Sequence, residues 1–184
     1  MRIQKKAPDS AASVAAELRH GNIVIIPTDT IYGFSGLFGK TAESIARIKG
    51  REENKPFIAL IAEPADIYRY TDLKIPTHIL KLWPAPLTLI VPLKGKEQGT
   101  QAFRCPADDW LRSVVAAAGD AVYSTSVNRS GMPPLTDIHT ICREFESSVS
   151  LIVDDGNLEG LPSTLVDLTS GAPRVLRQGP VVID

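Results

Sequence analysis

Three short stretches of this sequence carry side chains suited to directed hydrogen bonds with a small polar molecule. Thr28 and Thr30, with Asp29 between them, follow the apolar run 23–26; Ser126 and Asn128 follow the run 121–125; Ser163 and Thr164 precede another apolar stretch. Hydroxyls and amides of this kind can hold a zwitterion by several hydrogen bonds at once. Any one of them alone also serves as a turn or a helix cap. A second group is cationic: Lys49, Arg51, Lys55, Arg104 and Arg177 all fall in loops or at element ends. Guanidinium forks converging on one place would suit a polyphosphate. Dispersed, each would be a surface ion pair worth ~0–1 kcal/mol.

The common devices for nucleotide or covalent chemistry are missing. There is no GxxxxGK[ST] loop, and Gly33, Gly36 and Gly39 do not fit GxGxxG. Neither a GxSxG elbow nor an HExxH helix is present. Cys105 and Cys142 form no CxxC pair, and His20, His78 and His139 are scattered. These spacings do not describe a metal site or a disulfide framework, so free core thiols are expected and no protein ligand to a metal is assigned.

The elements that must position these groups can be read from periodicity and punctuation. Residues 23–26, all isoleucine or valine, predict a buried strand that Pro27 ends, because proline has no N–H for the ladder. Thr28 and Thr30 then lie beyond a strand's carboxyl end, where open α/β sheets bind ligands. Gly33, Gly36 and Gly39 read as a glycine loop. Asp9 is expected to cap a helix over 10–19, and Thr41 to start one reaching Lys49 and stopped by Gly50. Asp108 or Asp109 should cap a helix to about residue 118, and Thr136 one over 138–145. Further strands are predicted at 57–62, 87–91, 103–106, 121–125 and 151–153. A closing pair is expected at 165–168 and 174–177, with 94–101 as a polar connection. Short strands separated by helices make this α/β with a mixed sheet.

The 184 residues suit one domain spanning the chain, and 43% hydrophobic content allows a proper core. No run approaches the roughly 18 apolar residues of a membrane span, and residues 1–10 lack a signal-like apolar segment, so a cytoplasmic, soluble protein is expected. A net charge of −1 argues against a surface basic throughout.

In order along the chain stand Pro-Thr-Asp-Thr-Ile-Tyr-Gly33, Lys49-Gly-Arg51 with Lys55-Pro56, Trp83-Pro-Ala-Pro-Leu-Thr88, Arg104-Cys-Pro106, Ser124-Thr-Ser-Val-Asn128 with Ser130-Gly131, Ser163-Thr-Leu-Val-Asp167 and Arg177-Gln-Gly179. Together they resemble the YrdC-domain family, the threonylcarbamoyl-AMP synthases, in its short form. The resemblance implies an α/β fold with a twisted, mostly mixed sheet flanked by helices around a positively charged cavity. It implies that L-threonine, bicarbonate or CO2, and ATP give threonylcarbamoyl-adenylate and pyrophosphate, with Mg²⁺ accompanying the ATP. tRNA is the eventual recipient through a partner transferase. Carried over by motif, Thr28, Ser126 and Ser163 should contact threonine. Arg51, Lys55, Arg104, Asn128, Thr136 and Arg177 should line the ATP site, with Lys49 and Thr30 as additional candidates. The sequence departs from the family at Leu60 and Asp108, where many members have histidine, and at Ala85, where glycine is usual. Two other readings stay open: a paralogue using another substrate, and a double-stranded RNA or tRNA-binding module. RNA binding would weaken steeply with salt.

Overall fold

A computed structural model describes residues 1–50, 57–95 and 99–183. In chain order the elements are β1 (Arg2–Gln4), α1 (Ser10–Arg19), β2 (Val24–Pro27), β3 (Tyr32–Leu37), α2 (Ala42–Lys49) and β4 (Ile58–Leu60). A 3₁₀ turn (Pro64–Arg69), α3 (Thr77–Leu80), β5 (Leu87–Pro92), β6 (Thr100–Arg104), α4 (Asp109–Ala118) and β7 (Val122–Ser126) follow. The chain closes with α5 (Ile138–Phe145), β8 (Leu151–Asp154), β9 (Thr164–Asp167) and β10 (Arg174–Arg177). Among the described residues the strands form one mixed sheet in the order β1-β8-β2-β3-β7-β4-β6-β5-β9-β10. No helix of the described residues is long and apolar enough to cross a membrane.

Strand alternation divides the core into two faces. On β2, Val24 and Ile26 pack with Val14 and Leu18 of α1 and with Leu111, Val114 and Val115 of α4. Ile25, between them, joins Phe34, Ile45, Ile141 and Phe145 on the opposite face, under α2 and α5. Farther along that opposite face, Ala59, Phe103, Leu89 and Val166 pack with Ile67, Ile79 and Trp83. The register keeps this parity across the sheet: Leu37 pairs with Val122, and Val122 with Leu60, all within the α1–α4 core.

Several expectations need correction. Gly33 and Gly36 lie inside β3 and not in a loop: Gly33 pairs with Ile26 of β2 and Ser126 of β7, and Gly36 with Tyr123 of β7. Side chains are excluded there for lack of room: a methyl built on Gly36 would sit 2.3 Å from Thr41 Oγ1. Pro27 does end β2, as its last paired residue, opposite Tyr32. Asp137, not Thr136, caps α5, its carboxylate accepting from the N–H of Thr140 at 2.8 Å. Asp108 caps α4 by accepting from Leu111 N–H. Asp9 occupies the N-cap position of α1 without a side-chain bond. Strand β6 begins at Thr100, inside the stretch read as a polar connection, and β4 is shorter than 57–62. Strand β1 was not anticipated; it pairs in parallel with β8 at the sheet edge.

Candidate active site

The α1–α4 layer covers only part of its sheet face. Beyond Ile26 the same face of β2 continues to Thr28, and Gly33 of β3 stands opposite Ile26 and Ser126. Ser124 stands opposite Ser35 and Ile58. Small and polar residues thus replace the apolar ones where the helices end. The uncovered remainder is a cavity of about 330 Å³ walled by Thr28, Thr30, Tyr32, Gly33, Ile58, Arg104, Ser124, Ser126, Pro134, Pro162, Ser163 and Arg177, among others.

Thr28 and Thr30 sit on the tight connection between β2 and β3. Thr28 Oγ1 donates to Ile31 O at 2.7 Å and accepts from the N–H groups of Thr30 and Ile31 at 3.2 Å each. Its hydroxyl therefore builds the turn. Thr30 Oγ1 lies 3.0 Å from Thr28 Oγ1 and 3.4 Å from Arg104 Nη1.

Arg104, at the end of β6, is 4% exposed. Asp29 faces it, Oδ1 to Nη2 at 3.1 Å, and the second Asp29 oxygen accepts from Ala107 N–H. Arg104 Nε has no hydrogen-bond partner among the described residues. Burial pushes the Arg104 pKa down; Asp29 opposes that, and the neighbouring Arg177 adds to it. A buried guanidinium with an unused N–H and a second cation nearby is a receptor for an anion.

Arg177 is clamped from behind. Its Nε and Nη2 both donate to Ser163 O, at 3.0 and 2.9 Å. Ser163 Oγ in turn lies 2.8 Å from Thr88 Oγ1. Ser126 Oγ donates to Asn128 Oδ1 at 2.6 Å, which leaves its lone pairs for an incoming N–H. The buried Lys49 ammonium holds that corner together, donating to Ser126 O, to Asn128 O and to Asn128 Oδ1. Tyr32 donates to Gly156 O and accepts from Asp155 N–H, both at 2.8 Å; burial pushes its phenol up to about 12, so it stays neutral.

Of the residues singled out in the sequence, the fold brings Thr28, Thr30, Arg104, Ser126, Ser163 and Arg177 into one wall. Lys49 and Asn128 stand immediately behind Ser126. Thr136 is outside the wall, its carbonyl accepting from Leu158 N–H. Arg51 and Lys55 lie outside the described residues. Sequence reasoning missed Tyr32, Ser124, Pro134 and Pro162 as wall residues, and it left Asp29 without a task. Alternation would have found Ser124, two residues before Ser126 on the same face. None of the family departures is itself a wall residue, but each adjoins one end of the Arg104 segment: Leu60 pairs with Arg104 across β4 and β6, Ala85 N–H donates to Cys105 O, and Asp108, which caps α4, follows Ala107.

The sequence matches the Sua5–YciO–YrdC family model, described as telomere recombination, over residues 16–179. It is 30% identical to a threonylcarbamoyl-AMP synthase of Bos taurus, covering 93% of this chain and 68% of that one. With the threonylcarbamoyl-AMP synthase of Halorhodospira halophila it shares 31% identity over 90% of this chain and 93% of the relative. The crystal structure of Pyrococcus abyssi Sua5 complexed with L-threonine superposes with a TM-score of 0.86 at 27% identity, over 97% of this chain and 57% of that one. The chain thus spans little more than half of the Pyrococcus protein.

Proposed function

This chain belongs to the Sua5–YciO–YrdC family, and from that premise we propose that it is a cytoplasmic L-threonylcarbamoyladenylate synthase. The single observation that carries the reading is the meeting of Thr28, Thr30, Arg104, Ser126, Ser163 and Arg177 around one cavity. The relatives' names and the L-threonine in the Pyrococcus structure support the choice of substrate.

The reaction makes two bonds, N–C and O–P, and breaks an N–H bond and the α-phosphorus bond to the pyrophosphate oxygen, with a C–O bond broken as well when bicarbonate is the carbon source. The threonine nitrogen adds to the carbon of CO2, or of bicarbonate with loss of water, giving a carbamate and releasing a proton. A carbamate oxygen then attacks the α-phosphorus of ATP as the bond to the β-phosphate oxygen breaks, and pyrophosphate leaves. Ser126, its proton committed to Asn128, accepts from the threonine nitrogen and aims it. Arg104 and Arg177 meet carboxylate and phosphate oxygens, where negative charge accumulates. The Ser163 clamp and the Asp29 pairing hold both guanidiniums before substrate arrives, so little reorganisation accompanies the step. Arg51, Lys55, Asn128 and Thr136 complete the ATP site in this reading. The described wall offers hydroxyls and guanidiniums and no carboxylate, a donor set that does not build a Mg²⁺ site. Mg²⁺ therefore enters only as the companion of ATP. A tRNA-modifying transferase would consume the product.

The test is pyrophosphate release from ATP by the purified chain. Release that requires both L-threonine and bicarbonate is the expected result. A folded chain that releases none, or releases it without threonine, would overturn the reading.

A further inference from the structure

We propose that Lys5 is a positioning residue of the cavity: its ammonium closes a ring of contacts that holds the β2–β3 turn, and with it the Asp29 that faces Arg104. The consequence for activity rests on the proposed function; the ring itself rests on geometry. Lys5 follows β1, and its side chain is 18% exposed. Its Nζ donates to Asp108 Oδ2 at 2.7 Å and to Asp155 Oδ2 at 3.0 Å, and stands 5.5 Å from the centre of the Trp110 ring. Each carboxylate belongs to a short loop that supports the cavity wall. Asp108 follows Ala107, whose N–H donates to Asp29 Oδ2 at 3.2 Å, while Asp29 Oδ1 meets Arg104. Asp155 N–H donates to Tyr32 Oη at 2.8 Å, and that phenol donates to Gly156 O. The ring therefore runs from Lys5 to Asp108, from Ala107 to Asp29, along the turn to Tyr32, and from Asp155 back to Lys5. Thr28 and Thr30 ride on the turn it encloses.

The lysine is itself anchored for this task. Its N–H donates to Asp154 O at 2.9 Å, and its carbonyl accepts from Ser10 Oγ at 2.6 Å. Ser10 Oγ in turn accepts from Trp110 Nε1 at 2.9 Å, so the stem and the ring beneath the ammonium are tied together. Burial works against the charge, but the hydrogen bonds to Asp108 and Asp155 outweigh it and raise the Lys5 pKa. The ammonium is therefore charged at neutral pH. Other side chains hold each loop singly. Arg112 donates to the carbonyls of Pro106 and Ala107 and ties the first loop to α4; Arg2 and Gln4 bind Asp154 and tie the second to β1. Lys5 binds both. An exposed ion pair contributes little, but a partly buried ammonium shared by two carboxylates from distant segments restricts how those segments move relative to each other. The group most affected is Arg104, which is useful to developing negative charge only if it is held in place beforehand.

The experiment compares the original chain with Lys5→Met, Lys5→Arg and Lys94→Met, at a temperature where circular dichroism shows each fully folded. Lys94→Met removes an ion-paired lysine from another part of the fold. Backbone amide exchange is read by NMR, and kcat/KM by threonine-dependent pyrophosphate release. In Lys5→Met the amides of Ala107 and Asp155 should exchange about tenfold faster, and kcat/KM should fall about tenfold. Lys94→Met should change neither, and Lys5→Arg, which keeps the charge, should stay within about threefold of the original chain. In a Tyr32→Phe background, where the ring is already open, Lys5→Met should cost less than about threefold. If Lys5→Met does not fold, Asp155→Asn, which weakens the same link, takes its place. Unchanged exchange at both amides, or an equal loss of activity in both backgrounds, overturns this inference alone. An original chain with no threonine-dependent release overturns the proposed function; exchange then decides the ring, faster at both amides upholding it and unchanged overturning it.

Discussion

Asp29 and Arg104 show how a site residue can be shaped by a partner that the sequence leaves inconspicuous. The pair is almost fully buried, and Asp29 is the carboxylate that offsets the Arg104 charge. Removing one member of a buried ion pair strands the other, commonly at about 3–5 kcal/mol. Asp29→Asn, nearly equal in size, should lower the urea midpoint by the equivalent of about 3 kcal/mol without a change in m-value. An unchanged midpoint would show that Arg104 is satisfied without it. Thr28 makes the complementary point. Its hydroxyl builds the turn, so Thr28→Val should lose about 1–2 kcal/mol of stability as well as activity, and thermal melts beside rate measurements will separate the two. At this scale the residue types were legible in the sequence and their partners were not. Hydroxyls and arginines announce hydrogen-bonding capacity, but whether Thr28 spends it on Ile31 or on a ligand is a matter of Ångströms.

The connection between β8 and β9 supplies Pro162 and Ser163 to the cavity wall. It crosses the β2–β3 turn so closely that a methyl built on Gly160 would lie 2.0 Å from Thr30 O. Both partners are backbone, so no rotamer change can relieve the clash. Gly160→Ala should push this connection, with Pro162 and Ser163, off the site; the expected outcome is a rise in KM for threonine at little cost to the helical circular dichroism signal. Helix α4 is set by Asp108, which caps it and also binds Lys5 at 2.7 Å. Asp108→Ala should cost about 1 kcal/mol for the cap. Adding Lys5→Ala should cost less in that background than in the original chain, because the two losses are coupled. Helices were readable because caps and apolar spacings are local. The β3 strand was not, because its glycines have the local signature of a loop and only the crowding by Ser124 and Thr41 explains them.

The whole molecule is tied at one sheet edge by the first few residues. Strand β1 pairs with β8, and Asp154 accepts from Arg2 at 2.6 Å and from Gln4 at 2.7 Å. Burial works to raise the Asp154 pKa, but hydrogen bonds from Gly156 N–H, Arg2 and Gln4 outweigh it and hold the carboxyl below its ordinary value. A depressed carboxylate pKa favours the folded state above the unfolded value of about 4, and that contribution disappears as pH falls through the folded value. The melting temperature should therefore drop more steeply between pH 6 and about pH 3 in the original chain than in Asp154→Asn, with the two curves converging in acid. Parallel curves would remove Asp154 from the account. This edge was invisible beforehand because a three-residue strand has no periodicity of its own; it exists by virtue of the β8 edge that receives it.

From the sequence alone came the α/β class, the position of most helices and strands, and the set of hydroxyl and guanidinium groups, with an ordered run of motifs pointing to one family. These follow from local rules: capping, the period of apolar residues, and the types of side chain present. Tertiary structure alone decided that Thr28, Ser124, Ser126, Arg104, Ser163 and Arg177 share one hollow, although β2, β7, β6 and β10 are far apart along the chain. The physical reason is strand register. Pairing between distant segments sets which alternate side chains share a face, and a shift of one residue in any strand would turn its polar group away from the cavity.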